Sequence, residues 1–205
     1  MANPVETLAV QTCWSCRGPV AARELFCATC GAVQPPGNMD AFARLDLPRD
    51  FAVDAPALQR RYFDLQRKLH PDRFAAKSAK ERALSQQQAA ALNEAYETVK
   101  EPLSRAAALL RLAGREVKFD GQHTVADPAL LMEAMEMREA LAEAETGDEA
   151  DIVRARAEAD VAACRDDLAT AFSANDLDDA QRLALRLRYL EKLVDEARLR
   201  RRNLA

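Results

Sequence analysis

The 205-residue chain predicts an all-α protein: a helical hairpin and then a three-helix bundle, with a small tetracysteine metal-binding module ahead of both. Three observations carry that prediction. Glycine is rare at 6 residues and aromatics reach only 5%, while alanine, leucine, glutamate and arginine are abundant, a balance that favours helix over sheet. Apolar residues recur at three-to-four spacing through long stretches, the signature of one-sided helices. Short breaker clusters such as Thr146-Gly147-Asp148 separate those stretches, so consecutive helices must turn back on one another. The length allows one or two domains plus a small extra module, enough to bury a real core.

The first element is the pair Cys13-x2-Cys16 and Cys27-x2-Cys30, two knuckles spaced to bring four thiolates round one tetrahedral ion. Four protein sulfurs close such a site and leave no open position for catalysis, so its role is structural. Zinc suits a short polar knuckle pair, and iron held as in rubredoxin stays open. A reducing cytoplasm disfavours disulfides. Gly18, Pro19 and Gly31 are expected to make tight turns that aim backbone N–H groups at the sulfurs, and Trp14 and Phe26 to pack on the metal loops or on the helical domain beside them. Gln34-Pro35-Pro36-Gly37-Asn38 is a breaker cluster and reads as a linker, which sets the module at 1–38, a helical domain at 39–104 and a C-terminal bundle at 105–205.

In the second domain Leu58, Tyr62, Leu65 and Leu69 fall on one helix face, and Arg60, Arg61, Arg67 and Lys68 largely on the other. Pro71 stops this helix. A second helix follows from about Ser78 to Lys100, with Leu84, Ala91, Leu92, Ala95 and Val99 as its buried stripe. His70-Pro71-Asp72 joins the two. Taken alone the tripeptide reads as a cap and a turn, and no Ser, Cys or carboxylate is spaced to make His70 catalytic. The other histidine, His123, is expected to be a hydrogen-bonding loop residue.

Leu103 to Gly114 predicts a short helix that the glycine ends. Three longer helices are predicted at about Pro128–Glu145, Glu149–Ser173 and Leu177–Arg202, with Asn175 and Asp178 as capping residues. Cys164 lies beside alanines and reads as a small buried residue. On the first of these helices Leu130, Ala134, Met137 and Leu141 form a narrow core stripe, while Leu131, Met132, Met135, Glu136, Glu139 and Glu143 cluster opposite. Apolar residues on both faces leave one patch for a partner, and the acidic edge favours a basic one. The residues alone leave open that Met132 and Met135 touch another part of the same chain.

Two antiparallel helices joined by His-Pro-Asp resemble the J-domain, the module that stimulates ATP hydrolysis by DnaK-type chaperones. Asp40-Ala41-Phe42-Ala43-Arg44-Leu45-Asp46-Leu47-Pro48, Phe51-Ala52-Val53-Asp54, Leu58, Tyr62-Phe63-Asp64-Leu65-Gln66 and His70-Pro71-Asp72-Arg73-Phe74 narrow this to one family. They resemble the HscB-type co-chaperones of iron-sulfur cluster assembly. Pro102-Leu103-Ser104-Arg105-Ala106 and Leu131 to Glu139 are similar to the helices with which that family holds the cluster scaffold. The resemblance covers about residues 39–205, and the four-cysteine head resembles the animal-type members. Ala41 departs from it, because an aromatic residue is common there, and the first helix is expected to pack less tightly.

The resemblance implies an L-shaped, two-domain co-chaperone and no enzyme. Its partners would be a DnaK-type (HscA-like) chaperone and an iron-sulfur scaffold protein (IscU-like). His70, Pro71 and Asp72 would contact the chaperone, steered by Arg60, Arg61, Arg67 and Lys68. Leu131, Met132, Met135, Glu136, Glu139, Glu143 and Tyr189 would hold the scaffold. A general J-protein that holds unfolded clients is the alternative, and a weak homodimer stays open.

A net charge of -4 and a pI near 5.4 argue against wholesale binding to nucleic acid or anionic membranes. Between Cys13 and Cys30 the only charges are Arg17, Arg23 and Glu24, too few for a nucleic-acid-binding ribbon. No apolar run approaches the roughly 18 residues of a membrane span. Met1 to Val10 holds Glu6 and neither Lys nor Arg, unlike a secretory signal or transit peptide, so a bacterial cytoplasm is the expected location.

Overall fold

The structure, a computed structural model, describes residues 10–115 and 128–204. His123 with its loop, and all of the opening stretch but Val10, lie outside the described residues. The chain divides into two compact units: Met1–Arg49 with Val53–Glu101, and Asp50–Ala52 with Pro102–Ala205.

The first unit opens with a two-stranded antiparallel sheet, β1 (Val10–Thr12) and β2 (Pro19–Ala21), that places Val10 opposite Ala21. The helices α1 (Ala41–Arg44), α2 (Ala55–Leu69) and α3 (Ala79–Lys100) follow, with a 3-10 turn at Pro71–Phe74 between the last two. Each helix starts on a side-chain cap. Asp40 accepts from the Phe42 and Ala43 N–H groups, Asp54 from Ala57, and Ser78 forms a reciprocal capping box with Glu81. The core holds Phe42, Leu45, Leu58, Leu65, Leu69, Leu84, Leu92, Ala95 and Val99. Phe42 and Leu45 fill it from α1, while Ala41 is half-buried. Ala91 is also only half-buried, and the α3 stripe is completed by two polar residues, Ser85 and Gln88. Tyr62 stacks on Tyr96 at 4.1 Å between ring centroids, which ties the middle of α2 to the C-terminal part of α3.

The second unit is built from α4 (Pro102–Leu112), α5 (Pro128–Glu143), α6 (Gly147–Ser173) and α7 (Leu177–Asn203). The three long helices of the bundle are joined on α7 by the short α4. Phe51 stacks on Phe172 at 5.4 Å, and the Arg105 guanidinium lies 4.8 Å from the Phe51 ring centroid. Gly114, at φ 76°, closes α4, where the Arg115 N–H reaches back to the Leu110 carbonyl at 2.8 Å. α6 and α7 form the most extensive helix pairing. Their seam alternates small residues (Ala150, Ala157, Cys164, Ala180, Ala184, Ala197) with Leu168, Leu183, Leu187 and Leu190, so the backbones approach closely and the leucines interlock. α6 begins on a capping box of Thr146 with Glu149, two residues earlier than the sequence suggested. The cap of α7 also differs from the expected Asn175 and Asp178. Asp176 caps the helix by accepting from the Asp179 N–H at 3.0 Å, whereas Asn175 takes the left-handed position (φ 55°) that ends α6, and Asp178 sits in the first turn. The Asp176 carboxylate, placed before the first turn, reaches an unpaired helix-start N–H. Among the described residues no helix is long and apolar enough to cross a membrane.

Candidate functional site

The two knuckles repeat one backbone pattern. Cys13 N–H donates to the Gly18 carbonyl (2.8 Å) and Cys27 N–H to Ala32 (2.9 Å), while Arg17 and Gly31 N–H groups return to the Cys13 and Cys27 carbonyls (3.1 and 2.8 Å). The fourth residue after each leading cysteine is left-handed, Arg17 at φ 65° and Gly31 at φ 72°. Gly31 therefore aims its N–H at a carbonyl and not at a sulfur. Gly18 does bond a sulfur, Cys16 Sγ at 3.4 Å, and a Cβ there would come within 3.3 Å of that atom.

All four sulfurs lie within 4.8 Å of one another, with Cys13–Cys30 at 3.8 Å and Cys16–Cys27 at 3.7 Å. A metal–sulfur bond of about 2.3 Å gives a tetrahedron edge of about 3.8 Å, so the set fits one tetrahedral ion. None of the four is in a disulfide. Cys13 also accepts from Ser15 N–H (3.4 Å) and from Gln34 Nε2 (3.5 Å). The Cys16 N–H, with Ser15 and neighbouring thiols, outweighs burial and draws the Cys13 thiol down to about 6. The Cys30 N–H lowers Cys27, whereas Cys16, despite the bond from Gly18, is pushed up to about 11 by the adjacent thiols and burial. Packing four sulfurs together makes the later ionisations the hard ones, and a cation at their centre would relieve that repulsion. Trp14 packs on both expected sides: its Nε1 donates to the Val33 carbonyl at 2.7 Å, and Lys80 Nζ sits 4.3 Å above its ring. Phe26 pairs with Val33 in an isolated bridge.

His70 caps the C-terminal end of α2. Its Nδ1 accepts from the Asp72 N–H at 3.3 Å and lies 3.5 Å from Asp72 Oδ2. His70 and Asp72 are exposed, Pro71 is half-buried, and buried Phe74 anchors the turn from below. Of the four cations on α2, Arg60, Arg67 and Lys68 are exposed and Arg61 is half-buried. Arg61 is turned to the end of α1, donating to the Leu45 carbonyl (3.2 Å) and to Asp46 (2.5 Å), and Arg67 pairs with Asp64.

On α5, Leu130, Met137 and Leu141 are buried, whereas Met132 and Met135 are 64% and 70% exposed. Glu136, Glu139 and Glu143 are exposed around them, and Leu131 is half-buried. Tyr189, on α7, is half-buried in a shallow depression that Leu130, Met137, Arg138 and Leu193 also line. The Arg138 guanidinium lies 5.9 Å from its ring centroid. Reading the sequence missed the clamp that sets α5 on α7: Arg186 donates to both oxygens of Glu133 at 2.6 and 3.0 Å, the two residues 53 positions apart. The Arg186 bond holds Glu133 below the usual carboxylate range, and Glu133 raises Arg186 in turn. Also missed was a buried polar chain of Gln34, Arg44 and Gln88, whose members have no sequence spacing that would have linked them.

A family model described as "HSCB C-terminal oligomerisation domain" matches residues 126–198. The chain is 35% identical to the mouse protein called "Iron-sulfur cluster co-chaperone protein HscB" over 91% of its own length and 81% of the mouse chain. Its structure is similar to the crystal structure of human co-chaperone protein HscB at a TM-score of 0.86 and 35% identity, covering 92% of this chain and 98% of that one. It is also similar to chaperone HscB from Vibrio cholerae at 0.69 and 31%, covering 82% and 100%.

Proposed function

Because this chain belongs to the HscB family of iron-sulfur cluster co-chaperones, we propose that it binds an iron-sulfur cluster scaffold protein through α5 and Tyr189 and brings it to a DnaK-type chaperone. The observation that carries this reading is the side-by-side exposure of Met132 and Met135, with Glu136, Glu139 and Glu143 at their edge. Two unbranched thioethers present an adaptable apolar surface, and the carboxylates select a partner with basic groups at the matching positions. The first unit supplies the other contact. His70-Pro71-Asp72 stands at the turn after α2, with exposed Arg60, Arg67 and Lys68 on the helix leading into it, and docks on the chaperone to stimulate its ATPase.

The protein acts as an adaptor with no active site of its own, in a bacterial cytoplasm whose reducing conditions suit four thiolates on one ion. Zinc at Cys13, Cys16, Cys27 and Cys30 serves to hold the knuckle. Coupling comes from differential binding: the adaptor favours the hydrolysis-competent state of the chaperone over the resting one, since equal affinity for both would shift nothing. Steady-state ATPase of the chaperone with purified scaffold, adding this protein intact or as His70→Gln, tests the reading. Synergistic stimulation by the intact protein with scaffold, lost in the variant, is expected. Stimulation indifferent to scaffold would point instead to a general J-protein holding unfolded clients. Met132→Ser with Met135→Ser is expected to abolish scaffold capture at unchanged helix content; unchanged affinity would remove the assignment of α5.

A further inference from the structure

The knuckle has very little apolar interior of its own. Among its described residues the buried apolar groups are Val20, Ala32 and Val33, beside the Cys13 and Cys27 thiols of the metal set. A module of this size cannot hold its shape by burying so little surface, so the ion serves as its core. Its wall toward the hairpin is polar and buried: Gln34 is 1% exposed, Gln88 1% and Arg44 8%. Gln34 Nε2 donates to Cys13 Sγ (3.5 Å) and to the Ala32 carbonyl (2.8 Å). The Gln34 carbonyl accepts from Gln88 Nε2 on α3 at 2.9 Å. Gln88 Oε1 accepts from Arg44 Nη1 on α1 at 3.1 Å, and Arg44 Nη2 returns to the Pro36 carbonyl at 2.8 Å. The path therefore runs from a metal ligand through the linker to α3, to α1 and back to the linker.

Two acceptors in this loop, the carbonyls of Gln34 and Pro36, belong to the segment that the knuckle fixes. If the knuckle unravels, the Gln88 amide and the Arg44 guanidinium, both buried in the folded chain, lose these acceptors. A buried charge stripped of its partner is among the costlier defects a core can carry. Burial already pushes Arg44 below its ordinary value, opposed by Glu94, which shows a guanidinium taken out of water. α1 is a single turn of four residues and has little stability beyond this packing.

We propose that the metal knuckle is a brace for the hairpin: an ion held by Cys13, Cys16, Cys27 and Cys30 fixes Gln34 and Pro36, and through Gln88 and Arg44 it fixes α1 against α3. Metal loss then loosens the domain that carries His70-Pro71-Asp72 without touching that tripeptide. The inference concerns folding and is independent of which partners the protein serves.

Amide hydrogen exchange on the full chain, loaded with zinc and then stripped by a high-affinity chelator, tests this. The single Trp14, beside Cys13, reports knuckle opening through its fluorescence. Exchange across 41–45 and 84–92 is expected to accelerate about tenfold or more on stripping, with α6 and α7 unchanged. Unchanged exchange in α1 and α3 once Trp14 signals opening would overturn the proposal, as would equal acceleration in all helices. Gln88→Ala gives a second arm. With zinc retained, it is expected to reproduce the faster exchange at α1, and wild-type protection there would also overturn it.

Discussion

Arg17 and Gly31 hold the same left-handed position in the two knuckles, and only one of them is a glycine. A side chain at such a φ costs roughly 1–2 kcal/mol, so Gly31→Ala is expected to weaken metal retention and Arg17→Gly to strengthen it. Competition against a chromophoric chelator measures both, and equal retention in the two variants would count against a strained Arg17. Glu133 gives a pH dependence. Its folded value is depressed below the ordinary carboxylate value of 4.5 by Arg186, so its contribution is fully present above that value and is lost as the pH falls through the folded one. α5 amides are therefore expected to lose protection below about pH 4.5, and Glu133→Gln to show reduced protection at neutral pH with a flatter acid response. The four cysteines were legible because metal ligation demands a spacing. Gln34, Arg44, Gln88, Glu133 and Arg186 were not, because polar pairs bridging 44 to 54 residues obey no local period.

At the level of elements, helix periodicity located α3 to α7 to within a few residues, and Pro71 marked the end of α2. The start of α7 went wrong where three candidate caps stood within four residues. Asn, Asp and Asp at 175, 176 and 178 all suit a helix start, and the choice was settled by which residue took the left-handed turn that ends α6. Asp176→Ala is expected to cost about 1 kcal/mol, seen as a lower melting midpoint of α6–α7 helicity, and Asn175→Gly to be neutral or slightly stabilising. A larger loss from Asn175→Gly would reverse the assignment. Ser78→Ala removes one half of the α3 capping box and is expected to cost a similar amount in the first unit. Arg61 belongs at this scale too. Periodicity put it with the exposed cations of α2, but its length lets it reach the C-terminal carbonyl of α1, a favourable site for positive charge.

For the molecule as a whole, the seam between units falls after Glu101, and the knuckle clusters with the hairpin. Composition foretold the all-α class but could not show that Phe51, lying between α1 and α2 in sequence, packs with the second unit on Phe172. A lone aromatic in a loop carries no periodic signal. Trp14 reports only the first unit, while most of the described helical residues, those of α4 to α7, belong to the second. Denaturant unfolding followed by Trp14 fluorescence and by far-ultraviolet circular dichroism is therefore expected to give non-coincident transitions, and chelation is expected to move the fluorescence midpoint more. A single coincident transition would show that the units unfold as one.

The α5–α7 clamp has a consequence in time. α6 and α7 are joined by the three residues Ala174–Asp176, so their pairing is local and can form soon after both exist. α5 precedes them in the chain, yet Arg186, Tyr189 and Leu193, against which it rests, are on α7, and Arg200 donates to the Ala142 and Ala144 carbonyls at its end. During synthesis α5 therefore emerges with Leu130, Met137 and Leu141 uncovered and waits about 60 residues for its seat, several seconds at ribosomal speed. Through that interval the chain shows both of its apolar stripes at once, and only the arrival of α7 leaves Met132 and Met135 as the face on offer.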